Sequence, residues 1–281
     1  MRAASPLLSL TAWCSLSSLG VAQKFTRCAT ETKESFRSLA AAVVDDEARG
    51  AFDSIQESIE IDTYFHVVSV NDTRSVKEGY ITDQMLDEQF AVLNEGYEPH
   101  QITFNLLNTT RTINPVWATN SSDTAFFDMK KALRKGTYST LNVYFVGSMG
   151  DTLGFCPFPE DVKEGSDAFI EDGCIVAAGT VPGGTANEYN LGITLTHEVG
   201  HHLGLFHTFQ DGCNGGDLVD DTPAQASATE GCPVSRDSCP APGMDPIHNF
   251  MDYSTDICLN QFTPGQERRM YAMWNKFRAD K

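Results

Sequence analysis

The chain has 281 residues, 41% of them hydrophobic, and a formal net charge of −18. This length is enough for one core with a cleft and leaves little room for two independent folds. The acidity argues against nucleic acid or an anionic membrane as a partner, and the apolar runs fall short of the ~18 residues that a membrane span needs. We therefore expect a soluble protein, and a monomer.

The first residues carry the parts of a secretory signal peptide. Arg2 precedes an apolar stretch at 7–19, and residues 20–22, Gly-Val-Ala, provide a small-residue cleavage site. Residues 1–22 are therefore predicted to be removed, and the protein is predicted to be secreted and extracellular. Three sequons would be usable as N-glycosylation sites on a eukaryotic secretory route. They are Asn71, Asn108 and Asn120.

Hydrophobic periodicity along the chain predicts a mixed α/β order. Four segments are rich in β-branched, aromatic or other apolar residues and are predicted strands: 59–70, 102–113, 141–146 and 174–178. Four others are predicted helices, with Thr82 and Thr263 as N-caps of the first and last. These helices span residues 82–96, 122–134, 191–203 and 263–278.

The third predicted helix carries the pattern His197-Glu198-x-x-His201-x-x-Gly204-x-x-His207. His197 and His201 are four residues apart, so both imidazoles project from one helix face and can bind one metal ion. Gly204 allows the chain to leave the helix with a positive φ, which brings His207 back as a third ligand. Three protein ligands leave one tetrahedral position for water, as in catalytic zinc sites.

Two side chains beside these ligands have different predicted roles. Glu198 lies off the ligand axis, where its carboxylate can take a proton from a zinc-bound water and deliver it to the leaving amine. His202 points about 100° away from His201 and is predicted to lie behind the ligands or on the surface. The pattern predicts a zinc hydrolase.

The extended motif resembles that of the metzincin zinc endopeptidases at every defining position. Metzincins also carry a methionine turn beneath the metal, and residues 249–254, Asn-Phe-Met-Asp-Tyr-Ser, are similar to it. The Asp and Tyr after the methionine resemble the pappalysin family, in particular its small secreted fungal and microbial members. The resemblance implies a secreted zinc endopeptidase that hydrolyses peptide bonds of extracellular proteins through a Glu-activated zinc-bound water.

The resemblance also implies an α/β (α+β) fold with the zinc cleft in its middle. The upper subdomain, to about residue 204, would be a twisted mixed sheet with two backing helices, the second being the zinc helix. The lower subdomain, residues 205–281, would be loop-rich and disulfide-bonded and would end in the C-terminal helix. We expect residues 174–179 to be the edge strand above the cleft, which binds protein or peptide substrates in extended form.

Three further residues near the motif have predicted roles. Tyr253 resembles a family tyrosine that stabilises the oxyanion, and the alternative is a buried aromatic residue under the zinc. Met251 is expected to pack beneath the histidines without binding the metal. His248 is an alternative base, but Glu198 has the motif position.

The cysteine count indicates disulfides and one additional thiol. Cys14 would leave with the signal peptide, so seven cysteines remain, and the absence of a Cys-x-x-Cys pair favours disulfides over a second metal site. The resemblance implies the pairs Cys213–Cys239 and Cys232–Cys258, which leaves Cys156 to pair with Cys174.

The additional thiol, Cys28, lies in residues 23–50, which are expected to be a propeptide ahead of a catalytic domain at 51–281. A thiolate is a strong zinc ligand, so Cys28 can cap the metal until proteolysis removes it. Asp45 and Asp46 are rival caps. A thiol that stays free or pairs with another chain is the alternative.

Residues 211–223 are dense in oxygen donors and glycine, which is typical of a Ca²⁺-binding loop. Pappalysins are similar in having calcium in this region. Asp217 and Thr222 are the predicted ligands, with the carbonyl groups of Gly216 and Asp220. A solvated acidic loop held by Cys213 is the alternative.

Two other function classes remain open from the sequence. One is a secreted zinc-binding protein without activity, although the intact Glu198 argues against it. The other is a different zinc hydrolase, such as a deacylase, on the same ligands.

Overall fold

One six-stranded sheet organises the residues that the computed structural model describes, which are 25–50, 58–279 and 281. Its strands are β1 (Thr26–Cys28), β2 (Ile59–Ser69), β3 (Ile102–Ile113), β4 (Leu141–Val146), β5 (Thr152–Phe155) and β6 (Cys174–Ala177). They lie in the order β1-β5-β6-β4-β2-β3. Only β5 and β6 pair antiparallel, so the sheet is mixed, as predicted. The predicted signal peptide lies outside the described residues.

Seven α-helices accompany the sheet in these ranges. They are α1 (Glu34–Ala48), α2 (Asp83–Tyr97), α3 (Pro115–Thr119), α4 (Asp123–Leu133), α5 (Asp167–Glu171), α6 (Ile193–His202) and α7 (Pro264–Phe277). Thr82 accepts a hydrogen bond at the start of α2, and Thr263 forms a capping box with Gln266 at the start of α7. None of these helices has the length and apolar character that a membrane crossing requires.

Alternating side chains of the central strands form two apolar layers. Phe65, Val143 and Val176 belong to the main core with residues of α2 and α6, the two predicted backing helices. Val68, Tyr144 and Val146 belong to a second cluster with residues of α3 and α4. Both faces of the central strands are therefore covered, and α6 is held directly against the sheet.

The prediction that residues 174–179 form the edge strand is wrong. β6 lies inside the sheet between β5 and β4, and β5 is the strand on the side of the cleft. β1 continues the sheet beyond β5, in parallel register, with Cys28 opposite Gly154. The four residues of β5 are too few to give a strand signal, so the next hydrophobic segment in the sequence suggested the edge.

The region after α6 consists mainly of loops and ends in α7, as the fold class predicted. Disulfides stabilise this region, since it contains little regular structure. Cys213–Cys239 and Cys232–Cys258 lie in this region, and Cys156–Cys174 lies before α6, so all three expected pairs are formed.

A buried ion-pair network connects α7 to the end of α6. The Asp172 carboxylate accepts hydrogen bonds from the guanidinium of Arg278, at 2.8 and 3.2 Å. Arg278 also donates through Nε to the carbonyl oxygen of His202, 3.1 Å away, at the C-terminal end of α6. Burial alone would raise the pKa of Asp172, but the charge of Arg278 and a smaller contribution from His202 hold it below its usual range.

Candidate metal centre

Three imidazoles converge at the C-terminal end of α6. His197 and His201 share one face of this helix, and Gly204, with φ at +90°, turns the chain so that His207 returns towards them. The Nε2 atoms of His201 and His207 lie 3.0 Å apart. One ligand atom from each histidine and the sulfur of Cys28 all lie within 4.8 Å of one another.

Backbone carbonyls orient two of these rings. His197 Nδ1 donates to the carbonyl of Phe250 at 2.6 Å, and His201 Nδ1 donates to that of Leu205 at 2.8 Å. His197 Nε2 is buried and has no hydrogen-bond partner among the described residues. Burial lowers the pKa of all three imidazoles, so they are neutral, the form that binds metals. Neutral, converging Nε2 atoms with carbonyl-bound Nδ1 atoms are a donor set that fits zinc.

Met251 packs against the same helix. A Cβ atom at position 200 would lie 2.4 Å from Met251 Sδ, so only glycine allows the methionine to approach α6 this closely. The Met251 backbone N–H donates to Asn249 Oδ1 at 3.0 Å, which holds the turn. Met251 is fully buried.

Glu198 lies beside the imidazoles and is fully buried. Its Oε2 accepts hydrogen bonds from the Cys28 thiol and the Thr30 hydroxyl, both at 3.4 Å. Its Oε1 is buried and has no partner in the described part of the chain. Burial raises the pKa of Glu198 to about 8, against the smaller opposing effects of Cys28, Thr30 and Arg27.

Tyr253 packs against two of the three imidazoles. Its ring centroid lies 5.0 Å from that of His207 and 5.7 Å from that of His197. Its hydroxyl donates to the carbonyl oxygen of Cys28 at 3.0 Å. Burial raises the pKa of Tyr253, so the hydroxyl remains a proton donor at neutral pH.

Arg27 anchors β1 in this cleft and was not singled out from the sequence. Its guanidinium is buried and donates to the Ser254 carbonyl at 2.7 Å and to Asp256 at 2.8 Å. It also lies 4.8 Å from the ring centroid of Tyr189. Thr30 was missed as well. In the sequence neither residue belongs to a spacing pattern, and their partners lie more than 120 positions away.

Two other histidines near the motif are outside the cluster. His202 is fully buried, with Nδ1 3.6 Å from Asp172, so it lies behind the ligands and the surface alternative is wrong. His248 is exposed, and its Nδ1 donates to the carbonyl of Cys258 at 2.7 Å. Glu198 is therefore the better-placed base.

The remaining predicted site residues lie elsewhere. Asp45 and Asp46 are on α1, and Asp46 accepts from Lys276 at 3.1 Å. Asp217 is buried and accepts from the Thr222 hydroxyl at 2.6 Å, and burial raises the pKa of Asp217 to about 7. The described ranges contain two groups of three or more potential metal ligands among His, Cys, Asp and Glu. Neither group includes a residue of this loop.

Comparison with known proteins agrees with this geometry. The family model described as "Pregnancy-associated plasma protein-A" matches residues 169–275. The chain is 52% identical over 282 residues to Extracellular metalloprotease 1 of Coccidioides posadasii, covering 100% of both chains. The chain belongs to the pappalysin family of metalloproteases. It is also 55% identical over 224 residues to an extracellular metalloprotease of Colletotrichum graminicola, covering 79% of this chain and 78% of the relative.

A solved structure supports the same assignment. This pappalysin is similar to mature mirolysin of Tannerella forsythia in complex with a cleaved peptide, with a TM-score of 0.64 and 29% identity. The match covers 77% of this chain and 91% of mirolysin. The predicted metzincin-type fold and metalloprotease activity are confirmed, and peptides are the substrates.

Proposed function

We propose that this pappalysin is a secreted zinc endopeptidase that hydrolyses peptide bonds of extracellular proteins. The convergence of three neutral imidazoles beside a buried carboxylate carries the proposal. A zinc ion held by His197, His201 and His207 would polarise the scissile carbonyl and acidify a water at the open position.

Glu198 is the proposed proton carrier. It accepts a proton from the attacking water and delivers it to the leaving amine, a role that needs a pKa near the working pH. Its position beside the three imidazoles and the partner-free Oε1 support this assignment. Tyr253, whose hydroxyl donates to a carbonyl oxygen in the present structure, is proposed to donate to the developing oxyanion.

Substrate is proposed to bind in extended form along β5. β1 already pairs with this strand, and that pairing supports the β5 edge as the place where a peptide backbone would bind. The carbonyl and side chain of Cys28 in β1 contact Tyr253 and Glu198. A substrate in this position would therefore bring its peptide bond close to both groups.

The Glu198→Gln variant tests the mechanism. The variant should retain zinc, because all three ligands remain, while kcat for a peptide substrate falls by about 10²- to 10⁴-fold or more. Tyr253→Phe is the companion variant, expected to lower kcat more than it changes KM. Zinc is measured by elemental analysis of the purified protein. Full activity of Glu198→Gln would contradict the assignment of the base.

We also propose that residues 23–50 form a propeptide that keeps the precursor inactive. β1 occupies the cleft, and α1 packs on the body of the enzyme. Phe36 stacks on Phe158 with ring centroids 4.1 Å apart, and Glu47 accepts from Arg269 at 2.9 Å. Residues 51–57 lie outside the described residues. The proposed boundary at about residue 50 therefore rests on the sequence.

Cys28 is the proposed cap of the metal. Its sulfur lies in the ligand cluster with the three histidines, whereas the rival Asp46 pairs with Lys276. Burial and the nearby Glu198 raise the pKa of the Cys28 thiol, and a bound zinc ion would favour the thiolate instead. A thiolate ligand would fill the position that catalysis needs for water.

The precursor with Cys28→Ser should be active before any N-terminal trimming, whereas the wild-type precursor should be silent. Activity is assayed on a fluorogenic peptide immediately after secretion, with mass spectrometry to verify that the chain is untrimmed. The double variant Asp45→Asn/Asp46→Asn is the matched control and should stay silent. Equal latency of the Cys28→Ser and wild-type precursors would rule out Cys28 as the cap.

A further inference from the structure

β3 forms the edge of the sheet opposite the catalytic cleft. The cleft lies at the β1/β5 side, and β3 is the last strand on the other side. β3 is twelve residues long and pairs only with β2 in the described part of the chain. A long open edge strand is a template for pairing with another chain, so a stable monomer has to protect it.

Side chains of α2 and of the strand itself protect the two ends of this edge. At the start of β3, Asn94 Oδ1 accepts from the Phe104 N–H at 2.9 Å, and Asn94 Nδ2 donates to the Phe104 carbonyl at 3.5 Å. Towards its end, Arg111 donates to the carbonyl of Ile81 at 2.6 Å and places a charge beside the edge. Within residues 25–50 and 58–279, no side chain from another element forms such a hydrogen bond to the backbone of positions 106–108.

The middle of β3 is irregular and exposes one large apolar side chain. The pairing with β2 skips Leu107, because Thr63 is opposite Leu106 and Tyr64 is opposite Asn108. Leu107 is 52% exposed, and two further large exposed apolar side chains, Ile113 at 61% and Val116 at 58%, follow close by. Leu107 therefore exposes an apolar side chain directly at the open strand edge, which would favour self-association.

We propose that an N-linked glycan on Asn108 covers the middle of β3 and keeps two copies of the enzyme from pairing through this edge. The proposal rests on the proposed secretory route. Asn108 is exposed, lies directly after Leu107 and has a sequon threonine at Thr110. A branched, strongly hydrated oligosaccharide at this position occupies the space that a second strand would need.

The local geometry is compatible with the modification. Asn108 uses Oδ1 to accept from the Thr109 N–H at 2.9 Å, and glycosylation leaves that oxygen in place. In the transfer, Asn108 Nδ2 forms a bond to the anomeric carbon of a diphosphate-linked oligosaccharide donor. The anomeric C–O bond breaks, the diphosphate carrier leaves with that electron pair, and the amide loses one proton to solvent.

The test uses the full chain secreted from a eukaryotic host, with wild type compared to Asn108→Gln. Peptide mass spectrometry should find a glycan on Asn108 in the wild type. Light scattering after size exclusion should find a wild-type monomer, while the variant should rise towards about twofold the mean mass with concentration. Asn105→Gln, an exposed position on the same strand without a sequon, is the matched control and should remain monomeric. Asn71→Gln and Asn120→Gln should remain monomeric as well.

Enzymatic removal of glycans from the folded wild type repeats the test without relying on folding of the variant. The proposal is supported if the deglycosylated enzyme associates. It also requires that the enzyme stays monomeric when the Asn108 glycan alone is retained. An unmodified Asn108 beside modified Asn71 or Asn120 would overturn it, as would monomeric behaviour of the deglycosylated enzyme. Absence of glycan at all three sequons would contradict the secretory route as well. Peptidase activity, measured in parallel, reports on the catalytic proposal separately.

Discussion

The three histidines of the site are held to different degrees. His197 and His201 are fixed by α6 and by hydrogen bonds to backbone carbonyls. His207 lies in a loop, where its ring stacks on Phe209 with centroids 4.8 Å apart and its Nε2 lies beside that of His201. The contribution of His207 is therefore the least secured of the three by regular structure.

His207→Ala should abolish zinc binding and activity together. Losing an outer hydrogen-bond partner of a zinc ligand costs about 10- to 100-fold in affinity, and losing the ligand itself should cost more. His248→Ala is the control, because His248 is exposed and outside the ligand cluster. Zinc content by elemental analysis and activity are measured for both variants. Wild-type zinc content in His207→Ala would contradict the ligand assignment.

At the residue scale, the sequence was sufficient to predict site residues whose spacing along the chain fixes their geometry. The four-residue spacing of His197 and His201 places both on one helix face, and Gly204 has the positive φ that the motif requires. Arg27 and Thr30 could not be predicted. Arg27 gains its role from Asp256, which is 229 positions away, and no local pattern indicates such a contact.

At the scale of elements, α6 depends on α7 through the Asp172–Arg278 pair. Arg278 contacts the last turn of α6 and is fully buried, so its charge relies on the Asp172 carboxylate. Removing one partner of a buried pair leaves the other charge without compensation. The zinc helix is thus stabilised by this buried ion pair at its C-terminal end as well as by the sheet.

Asp172→Asn should lower the free energy of unfolding by about 3–5 kcal/mol at neutral pH. The pKa of Asp172 is lowered in the folded protein, so its contribution is complete above the unfolded value of about 3.9 and is lost as pH falls below it. The stability gap between wild type and variant should therefore be constant from about pH 5 to 7 and shrink below about pH 4. Urea unfolding at several pH values measures the gap. Asp128→Asn, an exposed residue on α4, should differ little from wild type.

The loop at 211–223 allows a separate test of the calcium site that the sequence predicts. Asp217 is buried beside Thr222, and a bound cation would favour the charged carboxylate that burial disfavours. Excess calcium should raise the melting temperature of the wild type by mass action, and Asp217→Asn should abolish that increase. Asp211→Asn, in the same loop but paired with Arg37, serves as the control. An unchanged wild-type melting temperature would contradict calcium binding.

Elements with their own caps and periodicity were predictable, whereas elements defined by distant partners were not. α2, α4 and α7 begin within one residue of the predicted positions because Thr82, Ser122 and Thr263 cap them. β1 has three residues and pairs with β5. β5 has four residues and pairs with β1 and β6. Such short strands depend on their partners in the sheet. Missing β5 led directly to the wrong edge strand.

At the scale of the whole molecule, the two edges of the sheet have opposite requirements. The β5 edge accepts the backbone of β1 and is proposed to accept substrate, so it has to remain open to peptides. The β3 edge has no such role; it carries Asn108 and is contacted by Asn94 of α2. Self-association through β3 would leave the cleft accessible. An assay of peptidase activity should therefore not change when two copies associate through this edge.

The packing of α1 has a consequence for the surface of the processed enzyme. Phe36, Ala40 and Val43 of α1 are buried against a cluster that includes Phe206 and Met273. Departure of residues 23–50 would expose this apolar surface to water together with the cleft. Contiguous exposed apolar patches on soluble proteins commonly serve as contact sites. Removal of residues 23–50 would therefore expose an apolar surface as well as the active site. The processed enzyme would then bind to hydrophobic material to which its precursor does not bind.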